Sequence, residues 1–263
     1  VLFHPVINAH ADMGPKPSVT ITFYGLEEKS YYVTLLSKNR STGPWSADDD
    51  VYDEDGVADI FREYRDPDGF YFLNFYKLLE GNAAFAWTYY PPQEFKILLY
   101  FPDENRFLAS ESSYKRYAFN SYFKAEVSYG AMAIEEGQVV KSYDYLKEAL
   151  EFLLRVAVTV AVEAGLALML RYKREYLKVI GVTNLATQAF LSAAVVISDY
   201  FYGALSSMLL LFILEFFVFA AEAVVYFIFF KKIDPGKKSH PIAFSFIANF
   251  FSLIAGYLIY NVI

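Results

Sequence analysis

The chain has no cysteine among its 263 residues. That excludes disulfides, thiolate catalysis, iron–sulfur clusters and zinc–thiolate sites. Any exported part must hold its fold by core packing alone, which a segment of about 130 residues can supply. Histidine is almost as scarce, with three in all. His4 and His10 sit in the first ten residues and His240 stands alone near the C-terminus, so no histidine-based metal site or triad can form. HExxH, Walker, G-x-G-x-x-G and nucleophile-elbow patterns are missing as well. His240, beside Pro241, reads as a helix-start residue. The formal charge of −7 comes without a clustered basic face, so no nucleic-acid partner is expected. Nothing calls for a cofactor, and no catalytic constellation stands out.

What the chain does have is apolar surface. Hydrophobic residues make up 56%, above the roughly 45–50% of soluble proteins, and they are unevenly spread. Residues 12–145 carry 13 Lys/Arg against 22 Asp/Glu, a balance of −9, whereas residues 146–263 carry 10 against 8, a balance of +2. At the start, Val1-Leu2-Phe3 and Val6-Ile7 read as the end of a signal-peptide apolar region. Ala9-His10-Ala11 supplies the A-x-A cleavage pattern, which places a mature N-terminus at Asp12.

From Ser18 the pattern alternates, with Val19, Ile21 and Phe23 on one face, as a half-buried strand requires. Tyr31–Ser37 reads likewise, and Gly25-Leu26-Glu27-Glu28 predicts a hairpin between the two. Asp48–Gly56 reads as an acidic loop; Asp53-x-Asp55-Gly56 imitates a calcium loop but has Val51 and Arg62 at two ligand positions. Val57–Tyr64 has a short helical pattern. Further strands are predicted at Ala83–Tyr90, Glu94–Phe101, Arg106–Ser110 and Arg116–Ser128. The predicted fold over residues 12–137 is an antiparallel, β-sandwich-like exported domain with one short helix. Residues 138–151 form a linker and helix entry. The aromatic run Phe85–Tyr90 is either core or a binding platform for a protein or small ligand.

Four apolar blocks follow, at 152–170, 179–197, 205–230 and 242–263. Each approaches the ~20 residues that cross a bilayer, so the rear half is expected to be a four-helix transmembrane bundle. Arg171, Lys173, Arg174 and Lys178 mark the first connection, and Lys231, Lys232, Lys237 and Lys238 the third. The second carries Asp199 and no basic residue. The positive-inside rule then puts the N-terminal domain and the C-terminus outside the plasma membrane.

Inside the blocks lie polar residues that an apolar span does not need. An ionised carboxylate there costs at least ~2.5–3.5 kcal/mol on insertion scales, and there are three: Glu163, Glu215 and Glu222. Glu215, Glu222 and Tyr226 share one helix face. Asn184, Thr187 and Gln188 make an i, i+3, i+4 set on the second block; Asn249, Ser252 and Gly256 do the same on the fourth. Measured from the basic connections, Glu163, Asn184, Glu222 and Asn249 fall at similar depths, roughly 9–14 Å in at 1.5 Å per residue, with Glu215 deeper. Two readings fit this layer. It is either a hydrogen-bonded lock between helices, with the glutamates protonated and acting as donors and Gly165, Ala186 and Gly256 permitting close approach, or a site for a cation or proton where one carboxylate takes and releases charge.

Asp12-Met13-Gly14-Pro15-Lys16-Pro17-Ser18, together with Trp87-Thr88-Tyr89-Tyr90-Pro91-Pro92 and Asn184-Leu185-Ala186-Thr187-Gln188, resembles a family of Gram-positive membrane proteins. In that family a signal peptide precedes a DMGPKPS-type start, a β-rich exported domain and a helical bundle. The resemblance implies topology and cell type and carries no activity. The expectation from the residues is a non-enzymatic surface binding module anchored in the lipid bilayer. The alternative is a small cation- or proton-coupled transporter, or a subunit of one, that uses the intramembrane glutamates.

Overall fold

The computed structural model describes residues 14–49, 56–233, 235 and 240–260, with side-chain surroundings given as far as residue 255. The proposed signal-peptide remnant and most of the acidic loop, Asp53 and Asp55 included, lie outside the described residues. The chain divides into two compact units, residues 1–142 and 143–263.

The first unit is β-rich. Strands β1 (Ser18–Tyr24), β6 (Ala84–Trp87), β10 (Asn120–Glu126) and β11 (Val139–Lys141) form one sheet in the order β11-β10-β1-β6. A second sheet runs β5 (Lys77–Glu80), β2 (Ser30–Ser37), β7 (Glu94–Phe101) and β8 (Arg106–Ala109), and β9 (Tyr114–Lys115) also pairs with β7. Strands β3 (Ser41–Thr42) and β4 (Trp45–Ser46) make a small ribbon. Alternation on β1 works as predicted: Val19, Ile21 and Phe23 are buried to 0%. They share a core with Val33 and Leu35 of β2 and with Phe95, Ile97 and Leu99 of β7. Three expectations change. β1 and β2 are not a hairpin but belong to different sheets, because the chain turns out of plane at Gly25. There φ is +79° and a Cβ would come within 2.4 Å of the Val127 carbonyl oxygen, so only glycine fits. The first sheet is also not purely antiparallel, since β1 and β10 run parallel, Ile21 opposite Phe123. Finally, residues 139–141, expected in the linker, extend that sheet as β11.

β7 is buried at every position after Glu94 because both of its faces are covered, so its sequence is a near-continuous apolar run. Phe95, Ile97 and Leu99 face the shared core. Leu98 and Tyr100 pack instead against Val57, Ala58 and Phe61 of helix α1 (Val57–Glu63). Lys96 points to the α1 side and is 3% exposed. Its ammonium donates to Asp66 at 3.2 Å and also to Asp68. The Asp66 side chain, itself 0% exposed, accepts in addition from the backbone N–H groups of Asp68 and Phe70. The Asp66-Pro67-Asp68-Gly69 turn is thereby tied to the central strand.

The second unit is helical: α2 (Tyr145–Met169), α3 (Arg174–Tyr202), α4 (Ala204–Ile233) and α5 (Pro241–Tyr260). Asp144 caps α2 by accepting from the Lys147 N–H at 2.9 Å. Gly203, at φ +83°, separates α3 from α4, and Pro241 opens α5 where its missing N–H costs nothing. α2, α3 and α4 are each long and apolar enough to cross a membrane; the described apolar stretch of α5, Pro241–Ala255, is shorter. α2 packs on α3 and α5, and α4 packs on α3 and α5. Burial is inverted relative to the first unit. Phe216 is 67% exposed and Phe190 64%, while Glu163, Asn184 and Glu222 are at 0%.

Replacing Lys96 by Ala should destabilise the β-rich unit by roughly 3–5 kcal/mol, because the Asp66 carboxylate is left buried without its cation. Both tryptophans, Trp45 and Trp87, lie in this unit, so denaturant unfolding followed by tryptophan fluorescence checks it. The Lys96 hydrogen bond holds the Asp68 carboxyl below its ordinary 3.8. Burial opposes the charge on Lys96, but the bonds to Asp68 and Asp66 outweigh it and raise the ammonium above 10.5. The stabilisation from this cluster should therefore be complete above pH 3.8 and fade as pH falls through the lowered Asp68 value. At the alkaline end it should persist up to 10.5 and fade as pH rises through the raised Lys96 value.

Candidate functional site

An apolar helix pair can pack without polar groups, so each polar side chain in this unit needs a partner or leaves a cost. Glu163 of α2 finds one on the next helix. Its Oε2 accepts from Asn184 Nδ2 at 2.6 Å, and the Tyr226 hydroxyl of α4 approaches the same oxygen at 3.4 Å. Asn184 Nδ2 is also 3.0 Å from the Tyr226 hydroxyl and 3.1 Å from the Ile180 carbonyl one turn back. Glu222 of α4 is held by two donors: Thr187 Oγ1 of α3 to Oε1 at 2.6 Å and Asn249 Nδ2 of α5 to Oε2 at 2.6 Å. Asn249 Nδ2 likewise reaches back to the Ser245 carbonyl at 3.0 Å.

Six of the nine polar residues picked out by spacing thus join in one layer drawn from all four helices: Glu163, Asn184, Thr187, Glu222, Tyr226 and Asn249. Ser252 is buried but bonds only the Asn249 carbonyl, at 3.0 Å. Gln188 is 2% exposed and makes no hydrogen bond among the described residues. Glu215 is half-buried and likewise stands outside the bonded set. Ser245, which the spacing did not single out, belongs to the layer: its hydroxyl donates to the Phe219 carbonyl at 3.3 Å. Its signal was its place one turn before Asn249. Two of the three small residues expected at the close approaches are not there. A Cβ on Gly165 would meet nothing within 4 Å, Ala186 is exposed, and Gly256 lies beyond the described side chains. Ala167 and Ala248, both 0% exposed, occupy the tight positions instead.

The layer has more acceptors than donors. Among the described residues, Glu163 Oε1, Asn184 Oδ1 and Asn249 Oδ1 are buried without a hydrogen-bond partner, as is the Ser192 hydroxyl one turn beyond Gln188, whereas both oxygens of Glu222 are occupied. No group of three or more His, Cys, Asp or Glu side chains among the described residues is placed to hold a metal ion, so a carboxylate-rich multivalent centre does not form. His240 is exposed, and its carbonyl accepts the Phe244 N–H at 2.9 Å, as a helix-start residue should.

On the side of the layer nearer the α2–α3 connection the packing is aromatic. Tyr176 and Phe230 meet edge-on at 4.5 Å between centroids, and Tyr226 stacks on Phe230 at 5.4 Å. Phe244, Ile180, Ala167 and Ala248 fill the same cluster.

Thr187→Val removes a donor from a buried carboxylate and keeps the side-chain shape. It should cost the helical unit roughly 0.5–2 kcal/mol, the range for interhelical hydrogen bonds in membranes. Unfolding in mixed micelles by titration with SDS, followed by helical ellipticity, measures it. No protein-family model, no curated protein and no solved structure matches this chain.

Proposed function

We propose that the protein is a small cation- or proton-coupled membrane transporter, or the ion-handling subunit of one, with the glutamate layer as its site. In this reading all four helices cross the plasma membrane. The β-rich unit, sandwich-like, and the C-terminus then lie on the extracytoplasmic side. The observation that carries it is a set of open acceptors: among the described residues, Glu163 Oε1, Asn184 Oδ1 and Asn249 Oδ1 are buried without a hydrogen-bond partner. A lock evolved only for packing is served by matched donors and acceptors. A site that takes up positive charge needs surplus acceptors.

The surface-binding reading has no comparable support. The aromatic run that could have been a platform places Phe85 and Trp87 at 0% exposure in the core of the β-rich unit. Trp87 packs on Phe75 at 4.5 Å between ring centroids.

Reconstituted into liposomes, the protein should move protons, sodium or potassium, read with a pH-sensitive or ion-sensitive dye. Glu163→Gln and Glu222→Gln should each lower that flux by at least tenfold, on the order of 1.4 kcal/mol in the rate-limiting step. Wild-type protein that moves none of the three ions would retire the proposal.

A further inference from the structure

The helical unit contains the same construction twice. Ala161-Val162-Glu163-Ala164 on α2 is matched by Ala220-Ala221-Glu222-Ala223 on α4. Asn184-x-x-Thr187 on α3 is matched by Asn249-x-x-Ser252 on α5. The carboxylate and its amide are separated by 21 residues in the first hairpin and 27 in the second. The chemistry repeats in detail. In both, a Glu oxygen accepts from Asn Nδ2 at 2.6 Å. In both, Asn Nδ2 is within 3.1 Å of the carbonyl four residues earlier, and the hydroxyl three residues later lies within 3.3 Å of the Asn carbonyl. The packing repeats too. α3 against α4 joins the second helix of one hairpin to the first of the other, and α5 against α2 does the same in reverse. The bonds across the two hairpins do not repeat: Thr187 reaches Glu222, while its counterpart Ser252 bonds the Asn249 carbonyl and leaves Glu163 Oε1 open.

The geometry points to a single site for a monovalent metal cation, built between the two copies and held by Glu163 Oε1, Asn184 Oδ1 and Asn249 Oδ1. This rests on the reading of the glutamate layer as a place for positive charge and goes on to say which charge. A proton on Glu163 Oε1 bonds that oxygen and can be shared with one more, which leaves the third unanswered. A metal cation coordinates all three at once. The ligands offer one carboxylate charge and two amide dipoles, since both Glu222 oxygens are already taken by Thr187 and Asn249. Hard oxygen ligands with a single charge suit an alkali ion, whereas calcium sites recruit several carboxylates and the described residues hold no such group. Glu163 is the exchangeable ligand and Glu222 the group that fixes the frame. The repeat explains the difference: one turn after Glu222 stands Tyr226, whose hydroxyl crosses to Glu163, while the equivalent position after Glu163 is Ala167.

The test uses the full chain in detergent, melted by helical ellipticity, with sodium chloride exchanged for choline chloride at constant ionic strength. Sodium should raise the melting temperature of the wild type by a few degrees, as binding to the folded state alone requires. Glu163→Gln should abolish the response, and Asn184→Ala and Asn249→Ala should each weaken it. Asn184→Asp and Asn249→Asp are the deciding variants. Each keeps the coordinating oxygen and adds charge, so the half-saturating sodium concentration should fall about tenfold. In a lock that uses the amide only as a donor, the same changes would set two carboxylates against each other and act like the Ala variants. Helical ellipticity before the melt, compared with that of the wild type, shows that each variant is folded. An alkali-independent melting temperature in the wild type overturns the proposal, as do Asp variants that behave like Ala or a response tied to only one asparagine. If sodium has no effect but Glu163-dependent proton flux persists, the metal site is wrong and the broader transport reading stands. If both are missing, both fall.

Discussion

Removing a carboxyl group from water is costly unless other donors replace the water, and the helical unit does it twice at one level. The arrangement around Glu163 and Glu222 follows from that constraint. The donor must come from a neighbouring helix, because the helix's own N–H groups are already used in its i→i−4 bonds. Asparagine suits the task better than serine or threonine. Its amide has two hydrogens, so one can reach the carboxylate while the other returns to the carbonyl four residues back, at Ile180 or Ser245. The second bond fixes the amide plane. With Nδ2 committed on both sides, each asparagine is left with an Oδ1 that has no hydrogen-bond partner among the described residues.

The β-rich unit meets the same constraint from the opposite charge. Lys96 is carried into the packing between β7 and α1, where Leu98 and Tyr100 are its neighbours along the strand. There the deficit is removed locally: Asp66 and Asp68 come from one tight turn, and two backbone N–H groups complete Asp66. The lysine cluster is closed and the glutamate layer is open. A closed cluster fixes a turn to a strand and asks for nothing further. An open one keeps three buried oxygens without partners among the described residues, at a cost that packing alone does not recover, and this contrast within one chain is what supports the proposed site in the second and a structural tie in the first.

Much of this was legible from residue order. The 3.6-residue period placed Asn184 with Thr187 and Glu222 with Tyr226 on shared faces, and distance from the basic connections put Glu163, Asn184, Glu222 and Asn249 at one depth; the hydrogen bonds occur among those residues. Strand β7 was read to the residue because its apolar run ends at Gln93 and Pro102, both unsuited to continuing it. What could not be read was which strands pair. Alternation in β1 and β2 is the same whether they form a hairpin or lie in two sheets. The decision rests on Gly25 at positive φ with the Val127 carbonyl against it, a contact 102 residues away in sequence that leaves no local trace. The parallel partner of β1 is equally remote. Glu215 shares the Glu222 face by periodicity, but two turns along the helix carry it out of the bonded layer.

The two ends of the helical unit are chemically different around this layer. Toward the α2–α3 connection, Tyr176, Phe230, Phe244 and Ile180 are each at most 3% exposed, and their rings are in edge and stacked contact. Packing of that density has no room for a hydrated ion. Toward the α3–α4 turn, Gln188 and Ser192 continue from Asn184 at i+4 and i+8 on the buried face of α3, both at most 2% exposed. Polar atoms there can replace lost hydration step by step. That end also holds an apolar cluster of Leu191, Val195 and Val218, so its polar stripe is confined to one face of α3, whereas the opposite end is closed by aromatic rings. Tyr226 ties the Tyr176–Phe230 contact to the carboxylates. Its ring stacks on Phe230 and its hydroxyl lies at the Glu163 oxygen, so under the proposed transport reading a change of charge at Glu163 would act directly on this aromatic cluster.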